Sequence, residues 1–162
     1  MDQQTPRKKP VFTKLQAYQK AEGFCAYQER SQQEVRDKLY SWGLHSAEVE
    51  DVISDLITRN FINEERFAHA YASGKFRMKH WGKIKIRQGL QLKKVSPRLI
   101  KEALAQIDAE SYTETLTNLL EKKALSLSEK DPYKRKMKLA GYAAGKGYEN
   151  ELIFDLLNTK DL

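Results

Sequence analysis

The sequence has few of the residues that mark disulfides, hairpins or membrane spans. Its single cysteine, Cys25, excludes an intramolecular disulfide and a cysteine-based zinc site. It has four prolines and neither an Asn-Gly nor an Asp-Gly turn. No stretch approaches the ~18 consecutive apolar residues of a membrane-spanning helix. Residues 1–10 are polar and basic and lack the apolar core of a secretory signal, so we expect a cytoplasmic protein without a membrane partner.

Acidic residues are missing from one long segment of an otherwise mixed chain. Residues 66–101, the basic block, contain eleven Lys and Arg and no Asp or Glu, whereas the formal charge of all 162 residues is +7. The preceding residues 29–65 contain nine acidic and four basic residues. A field of one sign attracts polyanions or an acidic protein face. The alternative interpretation is a solvated, lysine-rich helix face.

Apolar residues recur at helical spacing along the chain. Ser31 followed by Glu34 is typical of a capping box at a helix start, and Gly43 and Gly147 are typical of helix ends. The predicted helices span residues 13–28, 32–42, 47–59, 64–79, 82–93, 97–106, 109–127, 132–146 and 149–158.

An internal repeat groups these helices in threes. A shift of 51 positions places Leu39 on Leu90 and Ile53 on Leu104, and a further shift of 53 places Leu104 on Leu157. A three-helix unit of ~50 residues is near the lower limit of independent stability, so neighbouring repeats should support one another. The sequence therefore predicts an all-α, elongated array of three tandem three-helix repeats. The predicted boundaries are a flexible basic N-terminal tail at 1–12 and repeats at 13–60, 61–107 and 108–162, of which the middle one is basic.

The sequence shows no assembled catalytic site. The three histidines lack metal-ligand spacing, and Cys25 has no neighbouring histidine in sequence. No glycine-rich phosphate loop follows a predicted strand. We therefore predict a non-enzymatic binding protein with no catalytic residue, no metal and no cofactor.

Basic and bulky side chains alternate between Lys75 and Arg87, and Phe76 and Trp81 are aromatic. Such a mixture suits nucleic acid, through stacking and phosphate contact, and also suits a protein interface. We expect the Ile84 side chain to point into the core. Trp81 can be interpreted equally well as a core residue or as a binding residue. The helical spacing also predicts Ile57, Ala70 and Met78 in the core. The candidate binding residues are Arg66, Lys75, Arg77, Lys79, Lys83, Lys85, Arg87, Lys93 and Lys94; of these, Lys79, Lys83 and Arg87 are expected to share one face.

Three segments together resemble the RecX family of recombinase regulators. Residues 31–39 are similar to its Ser-x-x-Glu-Leu-x-x-Lys-Leu motif, and residues 60–71 and 83–90 resemble its two later motifs. The resemblance covers about residues 15–158. The chain departs from the family pattern at Asn63-Glu64, which replaces Asp-Asp, at Trp81-Gly82, which replaces a glycine pair, and at Lys93-Lys94-Val95, which replaces Lys-Gly-Ile.

The resemblance implies a bacterial regulator that binds the RecA filament and limits its growth. Strand exchange, ATP hydrolysis and coprotease activity would then fall, in recombination, DNA repair and the SOS response. Single- or double-stranded DNA is a further candidate partner, and a monomer is expected. Within the motifs, Phe67, Gly82, Ile86 and Leu90 are expected to be structural residues. The alternative is a stand-alone helix-turn-helix protein in which residues 83–92 enter a DNA groove. Against it, this helix offers only Gln88 and Gln91 as uncharged base readers, and no zipper-like heptad for dimerisation follows.

Overall fold

The computed structural model describes residues 12–162, and these residues form nine α-helices and no strands. The all-helical prediction is confirmed, and each helix end lies within one residue of its predicted position. The predicted N-terminal tail lies outside the described residues apart from Phe12. The helices are α1 (Lys14–Tyr27), α2 (Gln32–Ser41), α3 (Ser46–Thr58), α4 (Glu64–Lys79), α5 (Lys83–Leu92), α6 (Pro97–Ala105), α7 (Ala109–Ser126), α8 (Pro132–Gly145) and α9 (Asn150–Thr159).

Side-chain caps account for several of the helix starts. Ser31 Oγ accepts a hydrogen bond from the Glu34 amide at 3.0 Å, which satisfies one of the amides that lack a partner within the helix. Asp108 caps α7 in the same way through the Ser111 amide at 2.8 Å. At α3, His45 occupies the N-cap position and makes no side-chain cap bond.

The described residues divide into two compact units, the first ending at Phe67 and the second spanning Ala68–Leu162. In the first unit, α1, α2 and α3 pack around a core that includes Val35, Leu39 and Leu56, each fully buried. Phe12 joins this unit, because its amide donates to the Trp42 carbonyl at 3.0 Å. Ile57, predicted in the core, is 42% exposed, because the apolar stripe of α3 is wider than the face its neighbours cover.

The second unit contains the rest of α4 and all of α5 to α9. Its core includes Ile86, Leu90, Leu116 and Ile153, none of which has exposed surface. Two predicted core residues of α4 lie on the outside instead, because the helix is covered on a narrower face than its apolar spacing predicts. These residues are Ala70, which is exposed, and Met78, which is 80% exposed.

The start of α5 is hydrogen-bonded to α7 and to the turn between α8 and α9. The Gly82 amide donates to the Lys146 carbonyl at 2.8 Å, and the Ile84 amide donates to the Gly147 carbonyl at 2.9 Å. The Lys83 amide donates to the Tyr112 hydroxyl at 2.9 Å. These amides lie at a helix N-terminus and have no acceptor within the helix. The Tyr112 hydroxyl of α7 and two carbonyl groups of the α8–α9 turn provide the acceptors.

Candidate partner interface

Arg66, the first cation of the basic block, is held within the first unit. Its Nε lies 2.8 Å from Glu29 Oε1, and its guanidinium donates to the side-chain and backbone oxygens of Asn60, each at 3.0 Å. The basic block contains no acid, but Glu29 neutralises this residue from outside it. The geometry therefore gives Arg66 a structural role at the start of α4.

Two candidate lysines lie against Trp81. The ammonium nitrogens of Lys75 and Lys85 are 4.9 and 4.7 Å from the centroid of its ring, and that of Lys75 is also 5.4 Å from the centroid of the Tyr71 ring. Cations near an aromatic ring are attracted by its quadrupole. The side chains of Lys75, Trp81 and Lys85 are half-buried. Trp81 therefore fits both interpretations, as a core residue and as part of a binding surface. Its ring is half-buried, and two lysine ammonium groups lie near it.

Lys83 is half-buried beside the Tyr112 ring, with its ammonium 5.1 Å from the centroid. Burial, with the hydrogen bond that Tyr112 donates to Glu149 Oε1 at 2.5 Å, raises the pKa of Tyr112, which therefore stays protonated. Lys79 and Arg87 are exposed whereas Lys83 is half-buried, and the expectation that the three share one face stays a prediction. Ile84, expected to point inward, is 37% exposed.

The other five candidate binding residues are exposed to solvent, except Lys93, which is half-buried. On α5, Arg87 shares the outward face with Gln88 and Gln91. The four structural residues are all buried, namely Phe67, Gly82, Ile86 and Leu90. The exposed candidates are Arg77, Lys79, Arg87 and Lys94.

A second group of cations lies around the start of α8, where the sequence analysis proposed none. Lys130, Lys134 and Lys138 are exposed there, and Lys138 pairs with Glu129 at 3.1 Å. The group was missed because residues 102–162 contain more acidic than basic residues overall. A shorter window would have found it, since Lys134 begins a run of three consecutive cations.

The described residues contain no group of three or more His, Cys, Asp or Glu side chains suited to hold a metal ion. Cys25 is buried, and burial raises the pKa of its thiol to about 11. Within residues 12–162, no helix combines the length and apolar character needed to cross a membrane.

Models of three RecX domains match the chain in order. The RecX first three-helix domain matches residues 17–56, the second matches 63–104 and the third matches 110–157. The chain belongs to the RecX family. The tandem of three-helix repeats predicted from the internal repeat is thereby confirmed, as is the resemblance carried by the three motifs.

Curated RecX relatives align with most of this chain. Regulatory protein RecX of Clostridium perfringens is 32% identical over 137 residues, covering 81% of this chain and 64% of the relative. Regulatory protein RecX of Bacillus mycoides is 30% identical, covering 85% of this chain and 51% of the relative. The chain therefore spans about half to two thirds of the length of these relatives.

Solved RecX structures share the fold. The crystal structure of RecX from Lactobacillus salivarius superposes with a TM-score of 0.82 at 24% identity, covering 90% of this chain and 95% of that one. A second crystal structure of regulatory protein RecX also gives 0.82, at 21% identity, covering 91% of this chain and 72% of that one. At these identities the likeness establishes the arrangement of helices.

Proposed function

We propose that this RecX-family protein is a non-enzymatic, cytoplasmic regulator that binds the RecA recombinase filament as a monomer and limits its growth. The observation that carries the proposal is the ordered match of all three RecX domains. Relatives named regulatory protein RecX support the regulatory role. A shorter filament carries out less strand exchange, ATP hydrolysis and coprotease activity, which places the protein in recombination, DNA repair and the SOS response.

The contact surface in this proposal is the exposed part of the basic block. A recombinase filament presents nucleic-acid phosphates together with acidic protein faces, and either complements a cationic surface. A regulator held across neighbouring subunits, or across a subunit and the DNA, would block addition of the next subunit. The cations assigned to this contact are Arg77, Lys79, Arg87 and Lys94, with Lys75, Lys85 and Lys93 supporting them.

A stand-alone DNA-binding function is the second candidate. It is favoured by the outward face of α5, where Gln88 and Gln91 lie beside Arg87. Amide side chains can read adenine edges, and arginine can read guanine. On this account the protein would bind bare duplex with a sequence preference and would not need a recombinase.

Recombinase filaments assembled on single-stranded DNA distinguish the two candidates. We expect the protein to promote net disassembly and to reduce ATP hydrolysis at amounts well below one per recombinase subunit. An unchanged filament, together with sequence-specific shifts of bare duplex DNA, would instead establish the second function.

A further inference from the structure

A groove of about 520 Å³ lies in the second unit, bounded by α4, the end of α6 and the start of α7. Its apolar lining comes from Phe76, Ala103 and Ile107. Pockets of ~300–1,000 Å³ with an apolar lining and a few polar groups are the usual form of a binding site. The groove thus has the size and lining to receive side chains of a partner.

One polar atom at this groove lacks a partner. His69 lines the groove, and its Nε2 is covered yet makes no hydrogen bond to any described residue. A buried polar atom without a partner raises the free energy of the folded state, and such atoms are rare. Because Nε2 itself has no exposed surface, an occupant of the groove would meet the exposed remainder of the His69 ring.

The free charge at the rim of the groove is positive. Arg77 lines the rim and is exposed. Asp108 also lines it, but its carboxylate already accepts the Ser111 amide at 2.8 Å as the N-cap of α7. That bond lowers the pKa of Asp108, and the positive end of the helix dipole offsets its charge. An acidic occupant therefore complements the rim better than a basic one does.

We propose that this groove binds an acidic segment of the recombinase. The segment places an apolar side chain against Phe76 and a carboxylate beside Arg77. This inference rests on the proposed function and adds to it a protein contact distinct from any contact with DNA.

The test fills the groove without changing its charge. Ser73→Trp and Gln106→Trp place a large ring from α4 and from the end of α6, because both residues line the groove and are exposed. Met78→Trp is the matched control, since Met78 lies on α4 outside the groove lining and is 80% exposed. Each variant is titrated against recombinase filaments on single-stranded DNA and, separately, against single-stranded DNA alone.

We expect both groove variants to weaken filament binding by about tenfold or more, while Met78→Trp stays within about twofold of wild type. Binding to DNA alone should be unchanged in all three. If circular dichroism shows that one groove variant is unfolded, the other decides the outcome.

Groove variants that bind the filament as well as wild type does would overturn this inference and leave the proposed function standing. A parallel loss of binding to DNA alone would also overturn it, because the groove would then be a nucleic-acid contact. A wild-type protein that does not bind the filament at all would contradict the proposed function itself, and the groove assignment with it.

Discussion

The backbone of Gly82 lies directly against the backbone of Gly147. A Cβ atom on Gly82 would lie 2.3 Å from the carbonyl carbon of Gly147, and one on Gly147 would lie 2.4 Å from Lys85 Cβ. Gly147 also has φ +96°, which glycine adopts without strain. Since the close approach allows the α5 amides to find their partners, helices α4 to α6 and α7 to α9 should unfold together.

Gly82→Ala should lower the free energy of unfolding by about 1–3 kcal/mol, because the added methyl meets backbone that cannot move aside. Gly141→Ala is the control: it lies in α8 with open space around it and should gain up to about 1 kcal/mol from helix propensity. Urea denaturation measures both. Equal effects of the two substitutions would show that the glycine contact is not tight.

Tyr112→Phe should lower the free energy of unfolding by about 1–3 kcal/mol. The Tyr112 hydroxyl accepts a hydrogen bond from the Lys83 amide and donates one to the Glu149 carboxylate, and the substitution removes both. Tyr133→Phe removes a hydroxyl from a side chain that is 71% exposed and should change stability by less than about 0.5 kcal/mol. Thermal and urea unfolding of the two variants test this difference. A Tyr112→Phe variant as stable as wild type would mean that water replaces the lost hydroxyl.

Lys94 has φ +56°, a left-handed conformation that strains a side chain with a Cβ atom. It lies just after α5, where glycine commonly ends a helix. Lys94→Gly should therefore raise the free energy of unfolding by about 1 kcal/mol. The neighbouring Lys93 has φ −85°, so Lys93→Gly should give no such gain. Stabilisation by both substitutions, or by neither, would contradict the conformational explanation.

Glu64 should make the stability of the first unit depend on pH. Burial raises the pKa of Glu64, despite the hydrogen bond its Oε1 accepts from the Gln32 amide at 2.5 Å. The folded state therefore holds the proton more tightly than the unfolded state does. This contribution is full below the unfolded pKa and is lost as pH rises through the folded pKa.

Glu64→Gln should remove that dependence. Denaturation of both proteins between about pH 3.5 and 7 gives the difference in unfolding free energy, wild type minus variant, which should decrease as pH rises. Acids with a lowered pKa, such as Glu50 beside Arg36, act in both proteins and cancel in the difference. A difference that grows with pH would mean that the Glu64 carboxylate is stabilised by its surroundings.

The helices could be predicted because their signals are local. Apolar spacing and cap residues such as Ser31 and Asp108 act within a few positions, so the boundaries followed from the sequence. The width of each helix's buried face could not be predicted from the sequence, because it depends on how far the neighbouring helices extend over that helix. Met78 and Ile57 were misassigned for that reason.

The candidate site was predictable in charge but not in geometry. The excess of Lys and Arg between residues 66 and 101 is visible in the sequence. The neutralisation of Arg66 by Glu29 and the packing of Lys83 on Tyr112 depend on partners 37 and 29 positions away. The groove beside Phe76 likewise forms from three helices, and no single segment signals it.

The contact assigned to the basic block is tested most directly by reversing its exposed charges. The variant is Lys79→Glu with Arg87→Glu and Lys94→Glu, all exposed, so the fold should be retained. The matched control reverses three exposed cations of the third domain, Lys122, Lys130 and Lys134, and changes the net charge equally.

The measurement is the affinity and association rate of both triple variants for recombinase filaments on single-stranded DNA, at low and physiological salt. We predict that the basic-block variant binds about tenfold or more weakly, chiefly through slower association, and depends less on salt than wild type. The control should stay within about threefold of wild type. If the basic-block variant binds and inhibits the filament as well as wild type at both salt concentrations, the block is a solvated face and the proposed contact is wrong.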